Sequence, residues 1–199
     1  MENKARNIVV GSLLGDGWLI KLRPNTKTST LYVKYNDKSL GYLKWLRTQL
    51  KELNPSELKS IPRYNQHYFY TSSRTDIGDL RQQFYPNEEE KRVPENIGQL
   101  LTDPISLAIW YQDDGTLDRR SKYHWNAMIA TYCFPMNDCV LLKNAIMTNF
   151  GIEVSVCKCQ MRSKMYYRLY VPSRSMERFM KIINPYIHAD YAYKTFLLD

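Results

Sequence analysis

Hydrophobic and polar positions along the chain follow two rhythms, and the order of the rhythms repeats. Val9 to Gly17 reads VVGSLLGDG and Leu107 to Gly115 reads LAIWYQDDG, two apolar runs that each close on an acidic residue and a glycine about half the chain apart. A short basic stretch follows each, Trp18 to Arg23 and Thr116 to Arg120. Next come runs rich in β-branched and aromatic residues, Leu31 to Asn36 and Ala127 to Cys133, a composition that predicts strands. Leu40, Leu43, Leu46, Leu50 and Leu53 then recur at helical spacing, as do Val140, Leu141, Asn144, Ile146, Met147 and Phe150. Strand-like runs return at Leu58 to Tyr64 and Tyr68 to Ser72, and at Val154 to Met161 and Met165 to Val171. A last helix closes each half, at Thr75 to Tyr85 and Ser175 to Ile183.

Each half therefore reads α-β-β-α-β-β-α, which makes the chain an α+β protein of two pseudo-symmetric half-domains. Between them Pro86 to Pro94, PNEEEKRVP, is charged and bounded by prolines, as connecting loops are. The expected division is a first half-domain over 1–85, a linker over 86–103 and a second half-domain over 104–199.

Composition narrows the partners. The 199 residues carry 28 Lys plus Arg against 20 Asp plus Glu, and the resulting charge of +8 favours a polyanion such as nucleic acid. No signal-peptide pattern opens the chain and no apolar run has the roughly 18 residues of a membrane span, so the expected setting is intracellular, cytoplasm or organelle matrix, without membrane contact. Cys133, Cys139, Cys157 and Cys159 show no paired C-x-x-C spacing, and His67, His124 and His188 are scattered, which speaks against a zinc site.

The Asp-Gly pairs carry the candidate chemistry. One such pair after an apolar helix has an ordinary explanation, since glycine is common just past a helix end and Asp-Gly is common in turns. Yet a carboxylate at a helix C-terminus faces the negative end of the helix dipole, at a cost of roughly 0.3–1 kcal/mol. Two such carboxylates at equivalent places in a repeat, Asp16 and Asp114, suggest a compensating cation. Gly11 and Gly15 lie four apart on one helix face, where they admit a close neighbour. If the two helices pack in parallel, Asp16 and Asp114 emerge together, in the carboxylate setting that holds Mg²⁺.

At these residues the sequence resembles the LAGLIDADG homing endonucleases. Two motif copies at half-chain spacing carry the resemblance, and KRVPENIGQLLTDPISLAIWYQDDG, Lys91 to Gly115, with the C-terminal Tyr193 and Lys194, is similar to the single-chain, intron-encoded mitochondrial members. The resemblance implies two four-stranded antiparallel sheets forming a saddle on DNA, with the motif helices as the interface beneath the active site. It implies Asp16 and Asp114 as catalytic metal ligands, with the main-chain carbonyls of Gly15 and Asp113 able to contribute. It further implies Mg²⁺ as cofactor with Mn²⁺ able to substitute, and Lys91 and Lys194 as catalytic lysines near the scissile phosphates. The first motif departs from the usual pattern in having Leu14 at the acidic sixth place, and the second in its bulky Trp110 and Tyr111.

Strand alternation supplies a contact face. Tyr32, Lys34 and Asn36 share one side of their strand and Tyr166, Arg168 and Tyr170 one side of theirs, with Lys21, Arg23, Arg63, Lys158 and Gln160 expected to join the same DNA-binding surface. The expected function is a monomeric, metal-dependent, sequence-specific double-strand endonuclease of the intron-homing kind. The alternative is an intron maturase, an RNA-binding splicing cofactor, because a basic surface serves either polyanion.

Overall fold

The computed structural model describes residues 1–20, 26–121 and 124–196. The first motif helix, α1, spans Asn3–Leu14 and is followed by the edge strand β1 (Trp18–Leu19) and by β2 (Leu31–Asn36). Helix α2 (Leu40–Gln49), strands β3 (Lys59–Ile61) and β4 (Gln66–Tyr70) and helix α3 (Thr75–Phe84) complete the half. After the short helix α4 (Ile97–Leu100) the order recurs as α5 (Pro104–Asp114), β5 (Gly115–Ser121), β6 (His124–Ala130), α6 (Met136–Phe150), β7 (Ser155–Met161), β8 (Lys164–Val171) and α7 (Ser173–Ile183). Both sheets are antiparallel and both run edge to edge in the same pattern, β1-β2-β4-β3 and β5-β6-β8-β7. The α-β-β-α-β-β-α order and the paired half-domains expected from the sequence are thus observed.

Local chemistry explains where the elements stop. Asp103 caps α5 by accepting the Ile105 N–H at 2.9 Å, and Pro104 occupies the first turn, where no amide partner is needed. Gly151 ends α6 at φ +62°, a left-handed setting that favours glycine. Pro62 cuts the expected strand Leu58 to Tyr64 down to β3 by starting a 3-10 turn, which Asn65 closes at φ 49°. The strand expected over Ala127 to Cys133 is displaced toward the N-terminus, to His124–Ala130. It stops because Thr131 leaves the ladder: its hydroxyl donates to the Tyr167 carbonyl at 2.8 Å and its own carbonyl accepts the Phe134 N–H at 2.9 Å.

The two motif helices hold the halves together. Ile8, Val9, Val10, Leu13 and Leu14 from α1 and Leu107, Ala108, Ile109, Trp110 and Tyr111 from α5 are all completely buried. Ser106 donates to the Asn7 carbonyl at 2.8 Å, Gly11 faces Ser106 and Ile109, and Gly15 faces Asp113, so contacts advance together along both chains and the helices are parallel. A Cβ at Gly11 would stand 2.6 Å from the Ser106 carbonyl oxygen, so this glycine is what lets the two backbones meet. The bulky Trp110 and Tyr111 are accommodated: both are buried, and the Tyr111 hydroxyl donates to the Lys194 carbonyl at 2.8 Å, anchoring the C-terminal segment.

Candidate active site

Parallel packing brings the two helix ends, and with them Asp16 and Asp114, to one place. A cleft of about 400 Å³ is lined by Gly15, Asp16, Gly17, Lys91, Asp114 and Cys133 among others, and a second of about 460 Å³ by Asp113, Asp114, Thr116, Tyr193 and Lys194. Asp114 belongs to both, so it stands between the two lysines.

Each lysine caps one motif helix. Lys91 Nζ donates to the carbonyls of Gly15 at 3.0 Å and Gly17 at 2.9 Å, at the end of α1. Lys194 Nζ donates to the carbonyls of Gln112 at 2.6 Å and Asp113 at 3.4 Å, at the end of α5. A cation at the last carbonyls of a helix offsets the negative end of its dipole. Lys91 is steered by its neighbours in the segment that joins the halves. Arg92 forms a two-pronged ion pair with Asp138 at 2.7 and 2.9 Å, and the Val93 N–H donates to the same carboxylate at 2.8 Å.

Electrostatics single out the same cluster. Asp16 is exposed, yet loss of hydration around its carboxyl pushes the pKa up against the pull of Lys91 and Lys194. Asp114 is pushed up to about 7, first by burial and then by the Asp16 charge, with both lysines opposing. Burial moves Lys91 and Lys194 the other way, below the ordinary lysine value. Two crowded carboxylates flanked by two reluctant ammonium groups form a site that a divalent cation would stabilise. The donor set fits Mg²⁺, which takes one or two carboxylates and fills its remaining positions with water and phosphate oxygen.

Asp113 has a different place. Its carboxylate is turned into the helix interface, where it accepts the Tyr35 hydroxyl at 2.6 Å and the Asp16 N–H at 3.1 Å. Burial, followed by the Asp16 charge, holds its pKa well above the carboxylate range. Of Asp113, then, the main-chain carbonyl is engaged by Lys194 and the carboxylate by Tyr35 and the Asp16 N–H; the Gly15 carbonyl is likewise engaged by Lys91.

The first sheet shows the expected face most clearly. Leu31, Val33 and Tyr35 are buried while Tyr32, Lys34 and Asn36 are more open, as alternation requires. Directly paired residues share a face, so Trp18, Tyr68, Tyr70 and Lys59 join Tyr32 and Lys34. Trp18 stacks on Tyr32 at 4.2 Å between ring centres and Tyr32 on Tyr68 at 4.9 Å, with Lys34 Nζ 5.8 Å above Trp18. Asn36 is exposed, but its side-chain carbonyl is spent on the Lys38 N–H at 3.0 Å. Arg63 lies in the exposed turn joining β3 and β4 rather than in a strand.

In the second sheet Tyr166, Arg168 and Tyr170 share a face with Cys159, Cys157 and Ser155. Lys158 and Gln160 pair with Tyr167 and Met165 and so lie on the opposite face, exposed where β7 outruns the core; the expected common surface is corrected at these two positions. Lys21 and Arg23 lie outside the described residues. Sequence reasoning missed Tyr35, Trp18, Lys59, Tyr68 and Tyr70. The last four become visible only once the strand register is known, whereas nothing local in the sequence marks Tyr35, which alternates onto the core side.

Comparison with known proteins supplies an independent line. Residues 6–179 match the model of the LAGLIDADG DNA endonuclease family. The chain is 26% identical to the DNA endonuclease I-ChuI of Chlamydomonas applanata, over 98% of this chain and 95% of that protein. It is 26% identical to Protein RecA of Mycobacterium gastri over 98% of this chain but 47% of that protein, so it spans about half the length of that relative. It is 24% identical to the cytochrome b mRNA maturase bI2 of Debaryomyces hansenii, over 98% of this chain and 74% of that protein. In fold it is similar to the homing endonuclease I-WcaI, solved bound to its DNA recognition sequence, with a TM-score of 0.80, 20% identity and coverage of 100% and 88% of the two chains.

Proposed function

The chain belongs to the LAGLIDADG DNA endonuclease family, and from that premise we propose that it is a sequence-specific, Mg²⁺-dependent endonuclease that hydrolyses both strands of a long duplex target as a single chain. The observation that carries this reading is the convergence of Asp16 and Asp114 at the ends of two parallel helices, with Lys91 on one side and Lys194 on the other. The carboxylates of Asp16 and Asp114 would hold the cation, which when bound supplies the Lewis acidity that phosphodiester hydrolysis requires. Lys91 and Lys194 keep the helix-end carbonyls fixed and put positive charge beside the cleft, where a scissile phosphate would lie. The aromatic and basic face of the first sheet would take the duplex, lysines on phosphate and the Tyr and Trp edges against bases and sugars.

Cutting a randomised duplex library with the purified protein tests the reading: ends enriched for one long sequence are expected with Mg²⁺ and none with chelator. Likeness to an mRNA maturase supports a second reading, an RNA-binding splicing cofactor. In that case the same preparation would promote intron splicing and leave the duplex library intact.

A further inference from the structure

The two halves are not equivalent at the one point where symmetry would matter most. Gly15 and Asp113 occupy corresponding places, each just before a site aspartate. A Cβ at Gly15 would collide with the Asp113 carboxylate, so the absent side chain of one half makes room for the side chain of the other. That carboxylate accepts the main-chain N–H of Asp16 at 3.1 Å, and the Tyr35 hydroxyl fixes it from behind at 2.6 Å. Tyr35 is itself buried in β2 with its ring edge-on to Tyr42 at 5.3 Å, so its hydroxyl has little freedom. Glycine gives Asp114 no reciprocal grip. A lysine holds each helix exit, Lys91 that of α1 and Lys194 that of α5, but only Asp16 is held in addition from across the helix interface.

Building on the endonuclease reading, we propose that Tyr35 and Asp113 are positioning residues that hold the Asp16 backbone in cutting geometry, and that their one-sided grip makes the two strand cuts separable. The Asp113 side chain acts through its shape as a hydrogen-bond acceptor, not as a metal ligand. Loosening the tie misplaces Asp16 by a fraction of an ångström and so slows the cut that depends on it more than the other.

The test has two arms. In the first, a supercoiled plasmid carrying the duplex cut by the unmodified protein is followed from nicked circle to linear form. For Tyr35→Phe and Asp113→Ala one strand's rate constant is expected to fall about tenfold more than the other's, with nicks mapping to a single strand. Asp113→Asn keeps an acceptor for the Asp16 N–H and a partner for Tyr35, and is expected to restore near-equal cutting. In the second arm, amide exchange in the metal-free protein is expected to speed up at Asp16 in Asp113→Ala and Tyr35→Phe and to stay slow in Asp113→Asn. The proposal is overturned if Asp113→Asn abolishes cleavage as fully as loss of Asp16, for the carboxylate is then a ligand. Unchanged Asp16 exchange in Asp113→Ala also overturns it. Failure of the unmodified protein to cut any duplex would instead sink the endonuclease reading, and the exchange arm would still decide the tie.

Discussion

At the scale of the residue, the carboxyl of Asp114 contributes, beside those of Asp113 and Asp16, to how the metal-free protein responds to pH. Its folded pKa of about 7 stands above the ordinary 3.8, so the folded state binds its proton more tightly than the unfolded chain. That contribution to stability is full below the unfolded value and is lost as pH rises toward and through 7. A shift of this size corresponds to at most about 4 kcal/mol by linkage, shared with the coupled Asp16. Asp114→Asn is therefore expected to raise the metal-free thermal midpoint by several degrees at pH 8, to change it little at pH 4, and to flatten the profile between. Calorimetric melts of both proteins across that range check this; equal slopes would place the carboxylate in ordinary solvent. The acid-glycine pairs were legible because the repeat doubled them, and the two lysines only through the family resemblance, since they do not stand at equivalent places in the repeat. The inward turn of Asp113 was not, since it depends on a tyrosine from a distant strand and a glycine from the other motif.

At the scale of the element, the α1–α5 contact decides whether the two aspartates meet. Alanine at Gly11 would gain up to about 1 kcal/mol of helix propensity but must push on the Ser106 backbone, and such overpacking costs about 1–3 kcal/mol. Net destabilisation and reduced cleavage are expected for Gly11→Ala. At Gly98 in α4 an added Cβ meets nothing within 4 Å, so Gly98→Ala is expected to stabilise by about 0.5–1 kcal/mol without touching activity. Thermal melts of the pair check both signs, and a Gly11→Ala protein as stable and active as the parent would show that the helices can separate freely. The helices of both repeats were readable from apolar spacing because each buries one face or, for the motif helices, nearly all of it, whereas the four-residue α4 lies in the stretch expected as linker. The edge strand β1 is only two residues long and owes its place to pairing with β2. The misassignment of Lys158 and Gln160 has the same origin: alternation gives two faces per strand, but only register tells which face a neighbour shares.

At the scale of the whole molecule, one chain contains both motif helices, both sheets and both lysines, so the protein is expected to bind its target as a monomer. Six or more phosphate contacts would lower affinity by about a thousandfold between roughly 50 and 200 mM salt. Light scattering of the complex and a salt titration of binding check these expectations, which an obligate dimer or a flat salt response would contradict. The central claim is that Asp16 and Asp114 are the charges of a metal-dependent cutting centre and not helix caps. Its most direct test measures thermal midpoint, metal-free duplex binding and Mg²⁺-dependent cleavage for Asp16→Asn and Asp114→Asn, beside Asp79→Asn on the exposed side of α3. Double-strand cleavage is expected to fall below detection in the first two variants and to persist in the third, with all three folded and duplex binding held or strengthened; wild-type cutting by both site variants, or their failure to fold, would contradict it.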